Sequence, residues 1–207
     1  MAITYPISFP SDISFSDFTI TAMNAVSSSR SPYTFSEQVY KWSGQGWKIS
    51  GSLPYMNRET AEKYNSFLIK LNGKYGSFLL SPPDAIAPQG SWAGTPLVDG
   101  ASQTGNELNI KGLTPSQTNI AVAGDYLQLG SDSSAFLYKV LDNADSDGSG
   151  NATLTIYPDI RVSPSDSAAI VTSSPKGRFR LSGDVPVSVN YNSHYSISLE
   201  AYEVIDV

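Results

Sequence analysis

The sequence contains no cysteine and a single histidine, His194. Without cysteine the chain has no disulfide framework, no thiolate metal site and no cysteine nucleophile. A triad with a histidine base would depend on His194, which precedes an alternating pattern and is interpreted as a turn or edge residue. Serine is frequent, but no Gly-x-Ser-x-Gly nucleophile elbow occurs. The sequence therefore predicts no catalytic residues, no cofactor and no enzyme.

Charged residues are also scarce, at 15% of the chain against about 25% in ordinary soluble domains. Thirteen basic and 19 acidic residues give a net charge of -6, which argues against binding nucleic acid by neutralising phosphates. Transient passage of DNA past the protein is still allowed. No run of about 18 apolar residues occurs, and the amino terminus lacks a signal-peptide pattern, so we expect no membrane insertion and folding in the cytoplasm where the protein is made.

What the sequence has in abundance favours a mainly β fold. Glycine and proline, 16 and 13 residues, interrupt the chain often, and serine, threonine, asparagine and tyrosine suit turns and sheet surfaces. The segment QVYKWSGQGWKISGSLP predicts two strands joined by a turn at Gly44 to Gly46. Trp42 and Trp47 in this hairpin are interpreted as packing residues rather than a ligand platform.

One helix is predicted, from Arg58 to Asn72. Asn57 is a suitable N-cap, and Gly73 tolerates the left-handed backbone that ends a helix. Apolar residues at three- and four-residue spacing predict one buried face. They are Ala61, Tyr64, Phe67, Leu68 and Leu71. The helix is followed by a short apolar strand in KYGSFLLSPPD, which Pro82 and Pro83 end because proline cannot donate to a ladder.

The pattern changes after this diproline. DAIAPQGSWAGTP shows neither a helical nor a strand period and is interpreted as a crossing into a second module. Five short strands are then predicted, enough for a small barrel or sandwich. They are NELNIKGL, GDYLQLG, AFLYKVL, ATLTIYPDI and AAIVT. AFLYKVL and ATLTIYP should pair as a hairpin across DNADSDGSGN.

The C-terminal region again alternates like strands, at Val185, Val187 and Val189 and then from Tyr195 to Ala201. These strands need a sheet to join, and the N-terminal region has too few strands of its own. We therefore expect a discontinuous β-sandwich with one α-helix, residues 1–96 and 173–207, and an inserted small β domain, residues 97–172.

Two features, one in the second module and one in the crossing that leads to it, are candidate binding sites. The turn containing Asp142, Asp145, Asp147 and Asn151 has the oxygen ligands that calcium prefers, but its spacing is irregular and no bidentate glutamate closes it. A solvated hairpin turn is the favoured interpretation, so no metal site is predicted. Trp92 lies in the glycine- and proline-rich crossing, where binding a partner and packing between modules explain it equally well. Ligand-binding residues are otherwise not predicted.

Several segments, taken in order, resemble the distal tail protein family of long-tailed bacteriophages (siphophages), prophages and gene transfer agents. They are GQGWKISGSLPYMNRETAEKYNSFLIKLNGKYGSFLLSPPD, VDGASQTGNELNIKGL, GDYLQLG, FLYKVLDNADSDGSGNATLTIYPDIR and SPKGRFRLSGD. No single segment is diagnostic, but their order and spacing are fairly specific, and they extend from about Trp42 to the C-terminus. The first forty residues carry less of the resemblance.

The resemblance implies a virion structural protein of the tail tip or baseplate, built as a β-sandwich with one helix and an inserted domain. That insert would be an OB-fold-like barrel, or alternatively a galectin-like sandwich. It also implies a homo-oligomeric ring, usually a hexamer, that joins the tail tube protein to the hub or fibre proteins and lets DNA pass through its lumen. The family has no catalytic residues to transfer.

Two other functions remain open from the sequence. The tyrosine-rich composition and the inserted β domain are compatible with a carbohydrate- or host-receptor-binding module at the tail tip. A glycosidase or esterase acting on the cell surface is the least favoured, because few glutamates are present and some lie on the helix face. The sequence does not exclude it, since paired carboxylates meet only in space.

Overall fold

The computed structural model describes residues 3–12, 14–191 and 194–205. Over these residues the chain is mainly β with one α-helix, as predicted, and its strands form two sheets. Among the described residues, no helix has both the length and the apolar content needed to cross a membrane.

The first sheet collects strands from both ends of the chain. Their bounds are β1 Ile7–Ser8, β2 Asp17–Arg30, β3 Glu37–Ser52, β4 Phe78–Leu80, β11 Gly177–Leu181, β12 Val187–Val189 and β13 Tyr195–Glu203. The strand order is β1-β4-β11-β13-β3-β2, with β12 paired to β13. Among the strand pairs of the described residues, only β1 and β4 are parallel. The C-terminal strands pair with the N-terminal ones, since β13 lies between β3 and β11.

The α-helix of the described residues, α1, runs Arg58–Leu71; it begins at the predicted residue and ends one residue before the predicted Asn72. The Asn57 side chain accepts a hydrogen bond from the Thr60 N–H, and the C-cap Asn72 adopts left-handed geometry at φ 52°. Four of the five residues in the predicted stripe are buried, and Leu68 is partly buried. Phe67 and Leu71 pack into the core of the first sheet, so the helix covers one of its faces.

The second sheet is formed by the middle of the chain. Its strands are β5 Gly94–Val98, β6 Glu107–Leu113, β7 Tyr126–Leu129, β8 Phe136–Val140, β9 Ala152–Tyr157 and β10 Ile170–Val171. The order is β10-β7-β8-β9-β6-β5. A bridge between Leu97 and Ala169 brings the two edges together, so the sheet is a nearly closed barrel. β8 and β9 pair antiparallel, as predicted for the hairpin across DNADSDGSGN.

The predicted hairpin at Gly44 to Gly46 is wrong. β3 is one continuous strand of 16 residues, and the chain turns earlier, between Arg30 and Glu37. The glycines instead accompany an irregularity, where the register shifts between Asn24 and Val26 of β2. Neither glycine has positive φ, so neither has the backbone that a primed hairpin turn requires.

Strand β5 was not predicted, because it begins inside the crossing that showed no strand period. Its start depends on glycine: Gly94 has φ +112°, and a Cβ there would lie 2.4 Å from the Gly112 carbonyl oxygen. Pro96 within the strand further hides its β character. The barrel therefore has six strands where the sequence indicated five.

Of the three apolar clusters in the described residues, one lies around Tyr64 and Ile197, and the other two lie on either side of the contact between the two sheets. One fills the barrel and includes Leu108, Ile110 and Tyr138, all fully buried. The other lies under the first sheet, yet it also contains Tyr126 and Leu137 from the barrel. The barrel thus completes the core of the first sheet, which fixes how the two sheets meet.

Candidate functional site

The outer parts of β2 and β3 form a two-stranded projection, residues 24–44, which we call the arm. Apart from Ser31, every residue of the arm is exposed, on both faces. Six of these are large apolar or aromatic side chains with more than half of their surface accessible: Val26, Tyr33, Phe35, Val39, Tyr40 and Trp42. Such a dense set of exposed apolar residues is unusual on a monomeric protein and marks an interaction surface.

The arm is ordered by local contacts. At its tip the Ser31 N–H donates to the Ser36 carbonyl oxygen at 2.9 Å, and the Arg30 guanidinium lies 5.1 Å from the centre of the Phe35 ring. Along its side the Tyr40 and Trp42 rings meet edge to face, with centroids 4.5 Å apart. A lone two-stranded ribbon is only marginally stable in water, so these contacts shape the arm without giving it a core.

The base of the arm is fastened to the barrel through buried polar contacts. The Trp47 indole N–H donates to the Leu137 carbonyl oxygen at 2.9 Å, and the Tyr157 hydroxyl donates to the Met23 carbonyl oxygen at 2.5 Å. The Gln45 side-chain oxygen accepts from the backbone N–H of Asp159 at 2.7 Å. Trp47 is buried and Trp42 is exposed, so the interpretation of both as packing residues holds only for Trp47.

A buried ion pair lies next to the contact between the base of the arm and the barrel. Arg161, from the barrel side, contacts Glu203 of β13 at 3.1 Å, and their side chains are 8% and 1% exposed. Burial raises the pKa of the Glu203 carboxyl despite the neighbouring guanidinium. The Arg161 backbone N–H donates to the Tyr138 hydroxyl, and burial raises the pKa of Tyr138 to about 12. A buried pair of this kind loses stability steeply when one partner is removed.

The Asp125 side chain binds the segment through which the chain crosses into the barrel. Sequence analysis did not identify this role. Its buried carboxylate accepts hydrogen bonds from four donors: the backbone N–H groups of Gln89, Gly90 and Val122 and the indole N–H of Trp92. Trp92 itself is 6% exposed and belongs to the barrel core. Its place in the crossing therefore reflects packing within the barrel.

The candidate metal residues close their turn with hydrogen bonds. Asp147 Oδ1 accepts from the backbone N–H groups of Asn151 and Ser149, each at 2.8 Å, and these bonds lower its pKa. Asp145 accepts from the Asn119 N–H at 2.7 Å, and Asp142 is exposed. Within the described part of the chain, no three acidic, histidine or cysteine side chains are placed to hold a metal ion.

His194 lies at the start of β13, as the sequence indicated. It is exposed, and its backbone N–H donates to the Asn190 side chain at 2.9 Å. Its ring centroid is 6.4 Å from that of Tyr55. These contacts agree with the interpretation of His194 as a turn or edge residue.

Comparison with known families matches the barrel. Residues 84–174 fit the family model described as "Distal tail protein pb9, B domain", a segment that contains the whole second sheet. This segment is similar to a distal tail protein domain. The match bears out the resemblance found in the sequence and indicates a phage distal tail protein, which is a structural component of the virion tail. Structural tail proteins of this family are generally non-enzymatic. No curated protein sequence matches the chain significantly.

Proposed function

We propose that this distal tail protein assembles into a closed ring that joins the tail tube to the hub or receptor-binding apparatus. The ring would hold six copies, the number that the family resemblance implies. The observation that supports this proposal most directly is the arm, because it is exposed on both faces and carries six large apolar side chains.

The arm supports assembly for an energetic reason. A two-stranded ribbon has no second layer of its own, so its apolar side chains remain in water until another chain covers them. A neighbouring copy of the same chain is always present in a homo-oligomer, and a rotational repeat of one such contact closes a ring. The arm is therefore the part of the molecule that gains most from assembly.

The edge of the first sheet offers a second contact. Within the described residues β2 pairs only with β3, so the outer edge of its 14 residues keeps unpaired N–H and C=O groups. Pairing with a strand from a neighbouring copy would satisfy those groups and extend the sheet around the ring. The net charge of -6 fits a lumen through which DNA passes without being held.

The discontinuous sandwich and the inserted domain would then have different functions. In this proposal residues 1–96 and 173–207 build the ring, and residues 97–172 form an outward-facing decoration. The protein would be made in the host cytoplasm and function in the tail tip or baseplate. Tail tube protein on one face and hub or fibre proteins on the other are the proposed partners.

The test is assembly of the purified full-length protein. The double variant Tyr40→Ser and Trp42→Ser removes two arm aromatics that are 59% and 57% exposed, so the fold should persist. Native mass spectrometry and negative-stain images should show rings for the unmodified chain and monomers for this variant. Circular dichroism spectra of the two should coincide.

A matched control replaces exposed aromatic side chains by serine outside the arm. Tyr55→Ser with Tyr75→Ser removes rings that are 72% and 73% exposed but lie outside the arm, and this variant should still form rings. The proposal loses its support if the unmodified protein stays monomeric at high concentration and binds neither the tube nor the hub protein of its own genome.

A further inference from the structure

A cleft of about 530 Å³, lined by both apolar and polar side chains, lies between the base of the arm and the barrel. One wall comes from the first sheet and presents Asn24 and Lys41. The other comes from the barrel and presents Asn106, Lys139 and Asp159. This volume falls within the range of about 300–1,000 Å³ that small-molecule sites occupy.

The walls of this cleft are already fixed in position. Trp47 and Tyr157 line it, and both side chains donate hydrogen bonds across the junction, to Leu137 and Met23. The indole of Trp47 also meets the Tyr157 ring edge to face at 5.0 Å between centroids. A ligand would enter without first ordering these residues, which lowers the entropic cost of binding.

Two lysines give the cleft a positive character in a chain whose net charge is -6. In the described part of the chain, the ion pairs formed by basic residues involve Lys48, Lys63, Lys111 and Arg161, and neither Lys41 nor Lys139 takes part in one. The Lys139 ammonium donates to the Tyr126 hydroxyl at 3.1 Å and lies 4.5 Å from that ring's centre. An ammonium has three donors, so it retains capacity for an anion.

The remaining polar groups suit a ligand that is rich in hydroxyls. The Asn24 and Asn106 amides both donate and accept, and the Asp159 carboxylate is an acceptor for hydroxyl groups. A purely anionic ligand would be repelled by Asp159, whereas a saccharide with one acidic group could place its hydroxyls there and its anion at the lysines. We propose that the cleft binds an acidic saccharide, one that carries a carboxylate or a phosphate group.

The test uses titration calorimetry on the full chain with three defined probes. Trigalacturonate carries carboxylates, maltotriose phosphate carries a phosphate, and maltotriose is the neutral comparison. At least one acidic probe should bind at least about tenfold more tightly than maltotriose, and its binding should weaken with added salt. The acidic probe that binds shows whether the site prefers a carboxylate or a phosphate.

Glutamine variants locate the site. Lys139→Gln and Lys41→Gln each remove one charge and should each weaken binding by about tenfold, the effect expected for one charge-assisted contact. Lys74→Gln, an exposed lysine outside the cleft, makes the same change and should bind like the unmodified chain. Lys139 lies on β8, away from the arm, so its effect is separable from any effect on ring assembly.

Three results would overturn the proposal. Neither acidic probe binds at concentrations up to about 10 mM; maltotriose binds as tightly as they do; or Lys139→Gln leaves the affinity unchanged. Asn24 and Lys41 of the cleft belong to the arm, which a ring would cover, so the titration is repeated on the Tyr40→Ser and Trp42→Ser double variant, whose substituted residues do not line the cleft. An outcome that is the same in both proteins does not depend on ring assembly.

Discussion

Replacing Asp125 by alanine is expected to destabilise the barrel more than any other single carboxylate removal in it. The side chain is buried, at 3% exposure, and accepts four hydrogen bonds at 2.6 to 3.0 Å. These bonds tie the crossing at Gly90 and Trp92 to the loop before β7. Alanine would leave all four donors without their partner.

The magnitude depends on which of the donors water can reach. The hydrogen bonds from the Gly90 N–H and the Trp92 indole are buried, whereas those from Gln89 and Val122 are partly buried and can be hydrated. Each buried donor left unsatisfied costs about 1–3 kcal/mol, so the two together give about 4 kcal/mol with the loss of the charge-assisted bonds. That is a large share of the roughly 5–15 kcal/mol that stabilises a typical domain.

The variant Asp125→Asn separates the contribution of the carboxylate charge to stability from that of the hydrogen-bond geometry. Its side-chain oxygen can keep the three donors now on Oδ2, while its amide would face the Gln89 N–H. We expect this variant to lose about 2 kcal/mol, roughly half the effect of alanine. Asp142→Ala removes an exposed carboxylate from the same barrel and should stay within about 0.5 kcal/mol of the unmodified chain.

Urea unfolding followed by tryptophan fluorescence is the appropriate assay, because Trp92 lies in the barrel core and loses its Asp125 contact. The free energy of unfolding is extrapolated for each variant from the transition and its slope. A loss below about 1 kcal/mol for Asp125→Ala, or equal losses for Asp125→Ala and Asp142→Ala, would refute this account of the crossing.

Two further substitutions test the buried ion pair between Arg161 and Glu203 and the N-cap of α1. Arg161→Met should cost about 3 kcal/mol by leaving Glu203 buried and unpaired, and the loss should be larger at pH 8 than at pH 5 in denaturant unfolding. The sign follows from the pKa of Glu203, which burial raises and Arg161 lowers: without Arg161 the folded pKa rises further, so the variant loses stability as the pH rises through a range in which the unmodified chain keeps the carboxylate paired. Equal losses at both pH values would contradict it. Asn57→Ala should cost about 1 kcal/mol by removing the acceptor for the Thr60 N–H, whereas Asn57→Gly should cost only a few tenths, as thermal unfolding can measure.

The elements predicted correctly were those with local signals. Helix α1 was delimited by Asn57 and Gly73, whose side chain and backbone act within one turn of the helix ends. The five barrel strands that alternate were also found, because each has turn residues on both sides. The same reasoning failed at Gly44 to Gly46, where a glycine pair that resembles a turn lies at an irregularity in one long strand.

The site residues depend on contacts between distant parts of the sequence. Asp125 binds donors 33 to 36 residues earlier in the chain, and Trp47 donates to a carbonyl 90 residues away. The arm was missed for a related reason: a strand with large apolar side chains at Val39, Tyr40 and Trp42 looks the same in sequence whether those side chains are buried in a core or exposed to solvent. Sequence periodicity identifies a strand but does not say what covers it.

The antiparallel pairing of β4 with β11 has an evolutionary consequence. Gly177 lies opposite Leu80, so the entire barrel occupies the position of a hairpin loop between two neighbouring strands. Its two connections run side by side, with the Ser174 N–H donating to the Ala85 carbonyl oxygen at 3.0 Å. A short turn could close the same gap, so we expect relatives to differ by exchanging or losing this module while keeping the sheet. Any replacement must still cover Trp47, which the present barrel shields.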